Sequence, residues 1–256
     1  MKPYFKLALA CLPLAIVAAC GGGDDLADRL DLANPEVRFV QASPLLPNVT
    51  LYRSSAGVAV AQSQATNVAY KSATNYYDID TSAADWIVKT TAGGVTIGTE
   101  SIDPKRGNKY TIVALPASSI DSSLYVINDP YNKPLTSTST HLRVMNASFN
   151  APNIDVYMTT GTNADISAAQ PLIGATAYKT AGPASGNDSI DIPGNTYQVR
   201  VFAAGQKTAP LFSGQLTFGN NQDVLILTVP DATAAGGISA LVKVEGTGAA
   251  TAIPTL

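Results

Sequence analysis

The chain has 256 residues, of which 16 are Lys or Arg and 19 are Asp or Glu, for a formal net charge of −3. Only 14% of residues are charged, against about 25% in ordinary globular domains, and this balance supplies no attraction to nucleic acid or anionic lipid. Two cysteines and one histidine are too few for a disulfide scaffold or a zinc site.

Residues 1–19 carry Lys2 and Lys6, an apolar segment from Leu7 to Val17, and then Ala18 and Ala19, the three parts of a secretory signal peptide. The apolar segment is about half of the roughly 20 residues that a membrane-spanning helix needs, so it predicts a cleaved signal rather than a span. Val17-Ala18-Ala19-Cys20 resembles the bacterial lipobox, in which the cysteine takes a diacylglycerol and a further acyl chain such as palmitate and becomes the first mature residue. An ordinary cleavage site beside an incidental cysteine is the alternative. One acyl chain holds only marginally, whereas two or more anchor stably, so the expectation is a protein tied at Cys20 to a bacterial envelope membrane without crossing it. Gly21, not aspartate, follows the cysteine. By resemblance to the enterobacterial sorting pattern this favours the outer membrane, on either its periplasmic or its surface face.

Residues 20–33 are glycine-rich and acidic and have no hydrophobic periodicity, which predicts a flexible tether. The mature chain would hold 14 basic and 19 acidic residues, a net −5, with Cys20 its sole cysteine. If lipid takes that thiol, the fold has no disulfide and rests on burial and hydrogen bonds.

Further along, "VRFVQASPLLPNVTLY" (37–52) repeats as "LRVMNASFNAPNIDVY" (142–157), with Arg38/Arg143, Ala42/Ala147, Ser43/Ser148, Pro47/Pro152, Asn48/Asn153 and Tyr52/Tyr157 identical. The match continues: "AYKSA" (69–73) with "AYKTA" (177–181), "WIVKTTAGG" (86–94) with "YQVRVFAAG" (197–205), "YTIVALP" (110–116) with "VLILTVP" (224–230), and "LYVIN" (124–128) with "ALVKV" (240–244). A repeat of this length is too long for a solenoid unit, so each copy should have its own core. Short segments rich in Val, Ile, Thr and Tyr, separated by Gly, Pro, Asn and Asp clusters, predict strands and turns of a sandwich or barrel. The expected organisation is copy one at 34–135, a Pro- and Ser/Thr-rich linker centred on 129–140, copy two at 140–246, and a tail at 247–256.

The repeated A-S-x-x-x-P-N-(V/I)-x-(V/L)-Y segment resembles the opening of a bacterial domain of unknown function, DUF4397, in both halves. That resemblance implies tandem immunoglobulin-like β-sandwiches in an exported or surface protein, and no reaction. The family segment carries a histidine and two aspartates where this chain has Gln41, Leu45 and Thr50 in copy one and Asn146, Asn150 and Asp155 in copy two. A metal or proton-transfer role at those positions therefore has no support here, and no cofactor is expected.

Catalytic chemistry is thinly served. A Ser-His-Asp triad would have to use His141, which reads as a solvated linker residue, and no Gly-x-Ser-x-Gly elbow supplies a nucleophile. Asp78 and Asp80, with Asp188 and Asp191 as counterparts, read as strand-end or turn acids; convergent oxygens would be needed for calcium or a glycosidase pair. Trp86 and Tyr197 align and read as core, and Lys105, Arg106 and Lys109 read as a solvated hairpin turn. The turns after Ser43 and Ser148 hold apolar residues, namely Leu45 and Leu46 in one and Phe149 in the other, which either fold back onto the sandwich end or contact a partner.

The leading expectation is a non-enzymatic envelope lipoprotein that presents loops to another protein or to a polysaccharide. The alternatives are a hydrolase of envelope polymer acting through acids near Asp80 and Asp191, and a spacer with no ligand.

Overall fold

The computed structural model describes residues 33–56, 61–116, 122–130, 137–245 and 250–253. Every regular element among them is a β-strand, as the composition predicts. The first half holds β1 (Glu36–Gln41), β2 (Val49–Ser55), β3 (Gln62–Val68), β4 (Ser72–Ala73), β5 (Tyr77–Asp78), β6 (Ala84–Thr90), β7 (Thr96–Ile102), β8 (Asn108–Pro116) and β9 (Ser122–Pro130). Its two sheets run β4-β1-β8-β9, with β5 also on β1, and β3-β2-β6-β7. The second half holds β10 (Ser139–Asn146), β11 (Ile154–Thr159), β12 (Ile173–Thr176), β13 (Thr180–Gly182), β14 (Ile190–Pro193), β15 (Asn195–Ala203), β16 (Phe212–Phe218), β17 (Asp223–Pro230), β18 (Ile238–Val244) and β19 (Thr251–Ile253). Its sheets run β13-β10-β17-β18-β19, with β14 also on β10, and β12-β11-β15-β16. Each half is a two-sheet sandwich in which the first strand lies parallel to a late one, β1 to β8 and β10 to β17.

The two halves match in their strand pairing. Arg38 lies opposite Thr111 and Arg143 opposite Leu225, the positions that the sequence match equates. Lys71 and Lys179 both sit at positive φ, 60° and 61°, and their amides donate to the carbonyls of Gln41 and Asn146. One alignment needs correction. Leu51 pairs with Val88 but its counterpart Val156 pairs with Val201, so Tyr197 stands level with Ala84 and not with Trp86. The slip is two residues, the side-chain period of a strand, so both aromatic rings still point inward, Trp86 0% and Tyr197 7% exposed.

Each sandwich has its own core. Val37, Phe39, Leu51, Trp86, Val88 and Ile112 lie at the centre of the first; Leu142, Val144, Val156, Val199, Val201 and Ile226 fill the second. A third cluster joins the halves: Val40, Ala42, Val113, Leu115 and Ile127 of the first pack with Met145, Ala147, Leu225, Leu227, Val229 and Leu241 of the second. The strands β1, β8, β10 and β17 are therefore buried on both faces, and β8 and β17 read as near-continuous apolar runs rather than alternating ones, while β1 and β10 bury polar side chains among their apolar ones.

The ends of the chain segments also differ from expectation. The 129–140 stretch read as linker begins and ends inside β9 and β10, and part of the 247–256 tail forms β19, which pairs with β18 by Ala240 opposite Ile253. At the edge where β19 lies, the two sandwiches pack differently. Leu124 in copy one fills the sandwich edge, and an added Cβ at Gly98 would lie 2.9 Å from its Cγ. The counterpart of Leu124 is Ala240, because Ala114 pairs with Leu124 and Thr228 with Ala240. At the corresponding edge of the second sandwich the Cβ position of Gly214 lies 2.8 Å from Phe212 Cζ and 3.4 Å from Ile253 Cγ2, so Phe212 and Ile253 together occupy the space beside the smaller Ala240.

Two outcomes follow from this packing. Ile253→Ala, which truncates a partly buried aliphatic side chain, should cost about 1–2 kcal/mol and lower the denaturant midpoint; an unchanged midpoint would show that β19 adds nothing. Residues 34–135 and 140–256, expressed separately and mixed, should co-elute as a one-to-one complex in size-exclusion chromatography, since each alone exposes its side of the third cluster. Two species that stay separate would mean that this cluster contributes no association.

Candidate binding groove between the sandwiches

The seam between the sandwiches has two unlike poles, because β1 and β10 run side by side in sense from one to the other. At the pole where these strands begin, charge dominates. Lys109 Nζ lies 2.7 Å from Glu245 and 3.2 Å from Glu36, and Arg143 Nη2 lies 3.0 Å from Asp129. Lys243 Nζ donates to Asn75 Oδ1 at 2.7 Å across the seam. The Arg38 guanidinium stands 4.5 Å over the Tyr76 ring and donates to Thr111 Oγ1 at 2.8 Å. Burial pushes the Tyr76 hydroxyl up to about 12 and lowers the Lys243 ammonium. The cavity enclosed here is about 20 Å³, room for roughly one water.

Two residues read as solvated belong to this pole. His141 is in β10, 9% exposed, with Nε2 at 2.9 Å from Asp191 Oδ1. Lys109 is 4% exposed in β8. Both sit where the second sandwich closes over the first, a contact that the sequence of one copy alone does not announce.

At the other pole β1 and β10 end in the two repeated turns. A buried amide folds each one: Gln41 Oε1 accepts from Ser43 N at 2.8 Å, and Asn146 Oδ1 accepts from Ser148 N at 3.2 Å while its Nδ2 donates to Pro152 O at 3.1 Å. A second pair of staples sits beside them. Thr50 Oγ1 accepts from Asn67 N at 3.4 Å; its counterpart Asp155 accepts from Ala175 N at 2.7 Å and Gly205 N at 2.8 Å. Of the positions where the family segment carries ionisable side chains, Gln41, Thr50, Asn146 and Asp155 are thus backbone clamps here, while Leu45 lines the groove.

The turns converge. Leu45, 38% exposed, and the half-buried Phe149 line one open groove of about 410 Å³ together with Pro44, Tyr70 and Pro230. Leu46 is absent from that lining and instead packs, partly buried, against the first core. The polar side chains of the groove are engaged within the protein. Tyr70 Oη donates to Pro230 O, Lys71 Nζ lies 2.6 Å from Asp231 Oδ2, Asp231 Oδ1 accepts from Thr233 N and Oγ1, and Asn150 Nδ2 donates to Gly237 O at 2.9 Å. The Lys71 ammonium, with Thr233, holds the Asp231 carboxyl well below the usual carboxylate range, and burial raises the Tyr70 hydroxyl.

The remaining acids do not gather. Asp80, in the first sandwich, receives both Nη atoms of Arg53 at 2.8 Å and the amide of Ser82 at 2.8 Å, and Arg53 depresses its carboxyl. Asp191 faces His141 in the second sandwich, and Asp78 pairs with Glu36 across β5 and β1. Among the described residues, no three His, Cys, Asp or Glu side chains converge on a point that could hold a metal ion. Cys20 lies outside the described residues.

The strap from Lys71 to Asp231 makes stability depend on pH with a definite sign. A carboxyl depressed in the folded state contributes above its unfolded value, about 4, and loses that contribution as pH falls through the folded value. The stability gap between wild type and Asp231→Asn should therefore be constant above about pH 5 and close as pH falls below about 4. Denaturant midpoints of both proteins across that range test it; a gap that widens in acid would show that the charge of Asp231 is not what the strap uses.

No curated protein matches the chain. Among solved structures, the chain is similar to one described as "Alpha-glucan binding by a streptococcal virulence factor", at 12% identity over 76% of this chain and 93% of that one, with a TM-score of 0.24. It is also similar to CBMbc (family CBM26) from Eubacterium rectale Amy13K in complex with maltoheptaose, at 12% identity over 86% and 97%, with a TM-score of 0.23. Residues 35–157, which span the first sandwich and the opening of the second, match the family model described as "Domain of unknown function (DUF4397)".

Proposed function

We propose that the chain is a non-enzymatic binding module of the bacterial cell envelope, held to a membrane by lipid on Cys20 and presenting the groove between its sandwiches to an envelope protein or polysaccharide. The observation that carries this reading is the convergence of Leu45 and Phe149, from turns about one repeat apart in sequence, on one open groove. Its position supports the same reading. The stretch leading from Cys20 enters the fold at Glu36, where β1 begins, and the groove lies beyond Gln41, where β1 ends. The strand's length, on the order of 20 Å at about 3.3 Å per residue, separates the two, so the groove lies at the pole opposite the one where the chain enters β1.

Binding is favoured over hydrolysis because the acids available for general acid and base work are dispersed. Asp80 and Asp191 belong to different sandwiches, and each is occupied by a basic partner.

The test has two arms. Cells labelled with a clickable fatty acid should mark the wild type and not Cys20→Ser; equal labelling of both would sink the anchor. Leu45→Asp should leave stability within about 0.5 kcal/mol, as expected of an exposed site, and Phe149→Asp should cost on the order of 1–2 kcal/mol because that ring is half-buried. Both should reduce recovery of the envelope component that co-purifies with the lipidated protein. Undiminished recovery with folded variants would remove the groove as the contact surface.

A further inference from the structure

The groove prolongs the seam. Pro44 follows Ala42 by two residues, Phe149 follows Ala147 by two, Pro230 adjoins Val229, and Lys71 precedes Ala73 by two; Ala42, Ala147 and Val229 are buried in the apolar cluster that joins the sandwiches, and Ala73 packs against it. The same surface that receives Leu, Val and Ala side chains from the other copy thus continues into the open. Its charge is balanced, because the lining's one cation, Lys71, is paired with its one anion, Asp231, at 2.6 Å.

The state of its polar atoms decides what it can hold. A sugar ring brings hydroxyls on every side, and each one left without a partner on burial costs about 1–3 kcal/mol. Here Tyr70 Oη, Lys71 Nζ and Asn150 Nδ2 already donate to Pro230, Asp231 and Gly237, which uses the Tyr70 hydroxyl proton and one N–H of each of the other two, and the few N–H that Lys71 and Asn150 keep are too few to meet a ring that presents hydroxyls on every side. What the groove offers is the flanks of Pro44, Leu45, Phe149, Tyr70 and Pro230. A volume of about 410 Å³ falls near the lower end of the range of about 300–1,000 Å³ typical of ligand sites, which suits a few side chains rather than a folded surface.

Resting on the binding reading above, we infer that the occupant is an extended, uncharged peptide segment of a partner protein that seats aliphatic or proline side chains in the groove and leaves its backbone on the open, solvated side.

Dye displacement tests this in the full chain carrying Cys20→Ser, so that no acyl chain competes. The environment-sensitive dye 1-anilinonaphthalene-8-sulfonate should fluoresce with the parent protein and bind about tenfold more weakly, or worse, to Leu45→Ser and to Phe149→Ser. The exposed Leu45 serves as the variant that keeps the fold if Phe149→Ser does not. An acetylated, amidated peptide of about ten residues alternating leucine and proline should displace the dye, while its serine–proline counterpart and maltoheptaose should not. Displacement by maltoheptaose but not by the leucine–proline peptide, or displacement by neither, overturns the peptide inference and leaves the groove as a binding site. Dye binding that ignores both substitutions overturns the groove and the inference together.

Discussion

Burial of β1, β8, β10 and β17 on both faces is the constraint from which the rest of the molecule follows. A sandwich sheet ordinarily shows one face to water, but here the odd and even residues of these four strands serve two different cores. Val37 and Phe39 face the first sandwich while Val40 and Ala42 face the seam; Val224 and Ile226 face the second sandwich while Leu225, Leu227 and Val229 face the seam. Once the seam exists, the turns that end β1 and β10 must emerge side by side, and a groove between them follows. Charged residues at the other pole close the seam with ion pairs, which orient the halves more than they stabilise them, because burying such pairs costs desolvation free energy.

The repeat made the fold legible in the sequence. Turn residues separated short strands, identical positions fixed the correspondence between copies, and the parity of a strand protected the core assignment of Trp86 and Tyr197 even where the alignment slipped by two. The seam was written there as well, in "YTIVALP" and "VLILTVP", whose apolar runs, each broken by a single threonine, are those of strands covered on both sides. Periodicity alone cannot say whether the second cover is a partner chain, a helix or the other copy. That ambiguity is why His141 and Lys109, whose burial depends on the seam, read as solvated.

The candidate site was half legible for a related reason. The apolar content of the turns, Leu45, Leu46 and Phe149, is visible in the sequence, but their meeting depends on how the two copies face each other, which no local pattern encodes. Leu46 shows the limit from the other side: a neighbour of Leu45 in an irregular turn, it has no strand parity to assign it, and packing sends it into the first core. The polar staples were hidden for a third reason. Gln41 and Asn146 look like replacements for an ionisable residue, and only the folded structure shows each side chain holding its own turn's backbone.

The parallel pairing of β1 with β8 also sets how the molecule would respond to being pulled. A load applied between residue 33 and the part of the groove that is not continuous with β1, such as Pro230, runs along the axis of β1, and six successive positions, from Glu36 opposite Lys109 to Gln41 opposite Ala114, lie alongside β8. Tension in that direction shears the ladder, so its hydrogen bonds share the force and must yield together. Peeling from a free strand end would instead break them one at a time. The strand that enters the fold is therefore mounted as a mechanical clamp, suited to transmitting a pull from one pole of the protein to the other without opening the sandwich.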